Sequence, residues 1–218
     1  MTQPPSPPAT PLEALAIVAI CFGWFILNSV MAVALGFPSG GGEFNDASFL
    51  DLIATECLLG AVALAVLHAR GYPVVRLLPA PSWRDCVAGL LLFALTTIAW
   101  WIVALAFTSG EYAQQPIVQM VAAARLSPAM VVALSMVNGL YEETFLLGYL
   151  VDAFRESGAA LAIGVSLLVR VLYHLYQGPM GAVSALTFGL VLSLVYWRTG
   201  KLWPVAFAHT LADAAAFM

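Results

Sequence analysis

Residues 126–151 read LSPAMVVALSMVNGLYEETFLLGYLV, an apolar run of membrane-crossing length that carries two adjacent acids, Glu142 and Glu143. Roughly 20 mostly apolar residues span a hydrocarbon core of ~30 Å as a helix. An ionisable group is expensive at that depth, so an acid pair inside such a run is a functional-site hypothesis by default. Working outward, six further apolar stretches cover 12–36, 47–69, 86–107, 159–176, 181–197 and 202–218. With 62% hydrophobic and 9% charged residues, the chain has too little polar surface to clothe a soluble globule. The expectation is an all-α, polytopic transmembrane helical bundle of about seven transmembrane helices, in which every backbone polar group is satisfied within its own helix.

The connections suggest an organisation and an orientation. A Pro-rich tail is expected over 1–11, N-terminal transmembrane helices over 12–110 and a core holding the acids over 111–218. The tail lacks the basic region of a secretory signal, and the apolar run before Ala32-Val33-Ala34 is too long for a signal core, so an uncleaved anchor is expected. Segment 111–125 is less apolar and reads as an amphipathic stretch at the interface. Arg70, Arg76 and Arg84, then Arg155, then Arg198 and Lys201 fall on one side of the membrane if seven helices alternate. The positive-inside rule makes that side, and the N-terminus, cytoplasmic. Eight scattered basic residues leave no footprint for nucleic acid. Cys21, Cys57 and Cys86 lie far apart in apolar runs, as buried hydrophobes do. Buried acids are nearly confined to the last third, which argues against a carrier built from two inverted halves.

The polar residues of the later helices can reach one depth. At ~1.5 Å per residue from the expected cytoplasmic ends, Glu142 lies about 18 Å up, His174 about 24 Å, His209 about 12 Å and Asp213 about 18 Å. His209 and Asp213 are four apart and share a helix face, as do Arg170 and His174. Glu142 and Glu143 differ by about 100° around their helix, so one can face a pocket while the other faces a neighbour. Two acids, two imidazoles and a further carboxylate suit hydrolysis: a carboxylate activates water, and histidines orient it, stabilise an oxyanion or ligate a metal. Tyr141, Tyr173, Tyr176 and Gln177 flank the pocket and could line it, although tyrosines near helix ends are ordinarily packing or belt residues. Glu56 is buried by position and is expected to pair within the bundle.

The runs EETFLLGYL, RVLYHLYQG and LWPVAFAHTLADAAAF resemble the three motifs of the CAAX protease and bacteriocin-processing family of intramembrane endopeptidases, usually E-E-x-x-x-R, F-x-x-x-H and H-x-x-x-N/D. Each motif is weak alone; in order and on successive apolar segments they are specific. The resemblance implies that Glu142 activates water with His174 as partner, and that His209 and Asp213 either hold a metal or stabilise an oxyanion. It leaves the cofactor open between no metal and a divalent ion such as zinc held among Glu142, His174, His209 and Asp213. There is no H-E-x-x-H to decide it.

Two positions depart from the usual motifs: Leu147 stands where an arginine is usual, and Arg170 where a phenylalanine is usual. An unpaired Arg and an unpaired Glu in hydrocarbon would both be costly, so Arg170 is expected to reach across the helix interface to Glu143. The resemblance implies an endopeptidase of bacterial or archaeal-type cell membranes acting on membrane-embedded or lipid-anchored peptides. CAAX-type, bacteriocin-like and sorting-tail peptides are all compatible. The alternative is a catalytically silent scaffold, regulator or immunity protein of the same fold.

Overall fold

The computed structural model describes residues 10–37, 44–106 and 112–218. Its long helices are α1 (Pro11–Ala34), α2 (Asp46–Ala69) and α3 (Trp83–Ala104). A short α4 (Pro116–Ala122) precedes α5 (Pro128–Glu143), α6 (Ala159–His174), α7 (Gly178–Thr199) and α8 (Leu202–Ala216). No strand is present among the described residues. The tail expected over 1–11 lies outside them except for Thr10 and Pro11, and so do residues 38–43 and 107–111 of two connections.

Helix starts follow local side-chain chemistry. Thr10 accepts from the Glu13 amide at 3.1 Å with Pro11 in the first turn. Asn45 and Ser48 exchange side-chain and backbone bonds at 3.0 and 3.1 Å to open α2. Ser82 and Ser127 cap α3 and α5 in the same way. Each cap satisfies amides that have no partner within the helix.

Among the described residues, five runs are long and apolar enough to cross a membrane: 11–34, 46–69, 83–104, 128–151 and 159–199. The last contains a break, because Gly178 at φ +85° reverses the chain and lets α6 and α7 pack side by side. The helix α8 has 15 residues and is shorter than those runs. The seven apolar stretches of the sequence correspond to α1, α2, α3 and α5 to α8, and the all-helical membrane architecture is as expected. Segment 111–125 contains the short α4, which has no fully buried residue.

Burial is uneven. In α1, α2 and α3 only a minor share is buried, and Trp24, Leu27, Leu91 and Trp101 point outward as lipid-facing residues would. More than half of the 128–151 run is buried. It packs between α2, α6 and α8, and α1 closes on α6.

The structure departs from a plain helix beyond Glu143, where Thr144–Val151 winds as a π-helix. Seven of its eight residues are buried, and they feed two apolar clusters. Leu146, Tyr149 and Leu150 face α1 and α2; Leu147 and Val151 face α3, α7 and α8. A segment apolar all round is buried all round, and the Ser166 hydroxyl donates to the Leu146 carbonyl at 3.0 Å inside it.

Candidate active site

Two close helix approaches build the site. At Gly139 a Cβ would lie 2.9 Å from both the amide nitrogen and the hydroxyl of Thr210, so α5 and α8 touch backbone to backbone one turn before the acids. At Gly189 a Cβ would lie 2.6 Å from Arg170 Cδ, so α7 leaves a channel through which the arginine reaches inward. Glu142, Glu143, Arg170 and His209 are thereby brought together, each at most 5% exposed.

Arg170 bridges both acids. Its Nη2 donates to Glu143 Oε1 at 2.7 Å and its Nη1 to Glu142 Oε2 at 3.2 Å. This includes the pairing with Glu143 expected from the missing arginine. Leu147 is fully buried in an apolar cluster with Leu92, Val151, Ala162 and Leu192. The ring of Phe188 on α7 stands 5.9 Å from the guanidinium carbon and 5.0 Å from the His209 ring.

His209 Nδ1 lies 2.6 Å from Glu143 Oε1. An ionised carboxylate only accepts, so Nδ1 carries the hydrogen and the Nε2 edge is directed elsewhere. That edge is 3.5 Å from Asp213 Oδ1 and 3.9 Å from Glu142 Oε2. Asp213 is steadied by Asn138, whose amide nitrogen donates to Oδ2 at 2.7 Å. Glu143 therefore does not simply face sideways: it ties the arginine of α6 to the histidine of α8.

Besides Arg170, Tyr173 of α6 donates to Glu142, through its hydroxyl to Oε2. His174, beside it, is half-buried and sets Nδ1 2.9 Å from the Arg170 carbonyl, leaving its Nε2 edge free of that bond. Tyr173 stacks on Phe22 of α1 at 5.1 Å, which holds the phenol in place. Asn138 and Phe188 were not singled out from the sequence. Asn138 had a usable signal, a polar residue four before Glu142 on the same helix face; Phe188 and Gly189 had none.

One group of described residues offers metal-ligand atoms within 4.8 Å of one another: Glu142, Glu143 and His209. Two carboxylates and an imidazole are suitable donors for a divalent ion, and Glu143 Oε2 is buried without a partner. His174 and Asp213 lie outside that group. Glu56 on α2, expected to pair, is 3% exposed with no hydrogen-bond partner for Oε2.

The segment holding these residues matches a known family. Residues 124–215 match the family model described as Type II CAAX prenyl endopeptidase Rce1-like. The match takes in α5, α6, α7 and nearly all of α8, hence all three motif runs, and the resemblance to the CAAX protease and bacteriocin-processing family holds over this Rce1-like segment. No curated protein and no solved structure matches the chain.

Proposed function

We propose that this protein is an intramembrane endopeptidase that hydrolyses peptide bonds near the membrane-held end of CAAX-type or similar lipid-anchored peptides. The observation that carries the reading is the meeting of Glu142 with Arg170, Tyr173 and His209 in a buried site, inside the segment that matches an endopeptidase family. The N-terminus and the basic connections are placed on the cytoplasmic side.

Glu142 takes a proton from water as the water oxygen attacks the scissile carbonyl carbon. Arg170 and Tyr173 hold its carboxylate oriented for that step, and the free edge of His174 orients the same water. The carbonyl π electrons move to oxygen, and the resulting oxyanion meets the Nε2 edge of His209. In the doubly protonated ring both nitrogens donate, Nδ1 to Glu143 and Nε2 to the oxyanion. Collapse of the intermediate expels the amine, which takes up the proton carried by Glu142. Asp213, fixed by Asn138, sets the orientation of His209. A divalent ion, when bound, would be held by Glu142, Glu143 and His209 and would supply Lewis acidity to water or carbonyl oxygen.

The test is cleavage of a fluorescence-quenched farnesylated CAAX-type peptide by protein purified in detergent. Glu142→Gln is expected to lower kcat by about 10²-fold to 10⁴-fold, the range of general-base effects, with the thermal midpoint unchanged. Absence of cleavage by wild type would overturn the reading in favour of a silent scaffold, and a Glu142→Gln protein that cleaves as well as wild type would overturn the role given to Glu142.

A further inference from the structure

Glu56 takes no part in the mechanism above, yet its place in the fold brings it to the same cluster. On α2 the buried residues Phe49, Glu56, Gly60, Ala63 and Leu67 form one helix face. Two contacts set that face against α5 in parallel register. The Ser127 amide donates to Asp46 at 2.8 Å, and Gly60 lies against the ring of Tyr141, where a Cβ would sit at 3.5 Å. Glu56 is thereby level with Val137 and Asn138, about one turn before Glu142.

A third contact brings in α8, which runs the opposite way. The ring of Phe217, following its last turn, is 5.5 Å from Phe49. Asp213 and His209 follow Phe217 inward at one-turn steps, and Glu56 follows Phe49 inward by two turns.

Each surrounding acid has charged or polar partners, Glu142 through Arg170 and Tyr173, Glu143 through Arg170 and His209 on Oε1, and Asp213 through Asn138 and His209, although Glu143 Oε2 is itself unpartnered. Glu56 Oε2 is buried and has no partner. A polar atom held that way opposes folding, so its presence beside the site asks for a ligand that completes it. A peptide entering a water-poor site brings main-chain N–H groups that must find acceptors. We propose that Glu56 is a substrate-contacting residue, whose free oxygen accepts a main-chain N–H of the peptide bound beside Glu142.

This rests on the endopeptidase reading, and one experiment separates the two. Wild type, Glu142→Gln, Glu56→Met and Glu56→Gln are purified in detergent and assayed with the farnesylated CAAX-type peptide, and thermal midpoints are measured. Met fills the volume without a polar atom, so Glu56→Met is expected to keep or raise the midpoint while KM rises about tenfold, the loss of one hydrogen bond to substrate, with a smaller change in kcat. Glu56→Gln keeps an oxygen acceptor and is expected to hold KM close to wild type. If Glu142→Gln abolishes cleavage while Glu56→Met leaves KM unmoved, the Glu56 proposal alone is overturned. A fall in midpoint that accompanies the KM change in both Glu56 variants makes the residue structural and also overturns it. Absence of cleavage by wild type removes the endopeptidase reading and this proposal with it, whereas full cleavage by Glu142→Gln removes Glu142 as the base and with it the placing of the bound peptide beside that residue.

Discussion

The guanidinium of Arg170 meets the carboxylate of Glu143 at 2.7 Å across the interface of α5 and α6, with both side chains out of reach of solvent. The position that usually supplies this cation, 147, is committed to an apolar cluster on the π-wound segment. The charge has therefore moved from the acids' own helix to the next one. One cation now serves both acids and, through Glu143, orients His209.

Removing that cation leaves two buried acids without their shared partner. Arg170→Leu is expected to destabilise the protein by about 3–5 kcal/mol, the usual loss when one member of a buried pair is deleted. Arg170→Lys keeps the charge but replaces the two separate nitrogens of the planar fork with one, and is expected to fold but lose most activity. Adding Leu147→Arg to Arg170→Leu should not rescue either property, because residue 147 is fully buried in an apolar cluster that would have to take up the new charge. Thermal unfolding and peptide cleavage on the four proteins check this.

Tyr173 separates orientation from folding. Its ring is held by stacking on Phe22, which Tyr173→Phe retains, while the donor to Glu142 is lost. A hydrogen bond to a charged group is worth about 1.5–3 kcal/mol, so kcat should fall about 10-fold to 100-fold with little change in thermal midpoint. An unchanged kcat would place Tyr173 among ordinary packing residues.

How far the sequence discloses this arrangement depends on the kind of interaction. Apolar stretches and their Gly and Pro punctuation are local, so the helices from Pro11 to Ala216 could be anticipated within a few residues. Glu142, Glu143, Arg170, His209 and Asp213 stand out because charge in hydrocarbon is conspicuous, and the absence of a cation at 147 pointed to Arg170. Tertiary contacts leave no such trace. The π turns after Glu143, the channel at Gly189 and the donation from Tyr173 depend on how neighbouring helices meet, and Glu56 was expected to find a partner that the bundle does not provide for Oε2.

Asn138 acts through Asp213. Asn138→Leu removes the donor to Oδ2 and releases the carboxylate that lies 3.5 Å from His209. Activity is expected to fall about tenfold, the scale of one hydrogen bond to a carboxylate at about 1.5 kcal/mol. Asn138→Gln, which carries the same amide on a longer stem, should recover part of it. A structural role alone would move the thermal midpoint in both variants without altering the ratio of kcat between them.

The approach of α5 to α8 at Gly139 sets the distance between Glu143 and His209, now 2.6 Å between Oε1 and Nδ1. A methyl at 139 would stand 2.9 Å from the Thr210 amide nitrogen and 3.1 Å from the Ala206 carbonyl oxygen, and neither backbone atom can turn aside. The helices must separate, which overpacking data price at about 1–3 kcal/mol. Gly139→Ala is expected to lower both stability and activity. Thr210→Ala relieves only the hydroxyl contact, so it should not restore them. Gly164 on α6 supplies the control, since a Cβ there meets no atom within 4 Å. Gly164→Ala should raise stability by up to about 1 kcal/mol through helix propensity alone, with cleavage unchanged. Equal effects at 139 and 164 would mean that helix propensity governs both positions, and that the close approach does not set the geometry of the acid–imidazole pair.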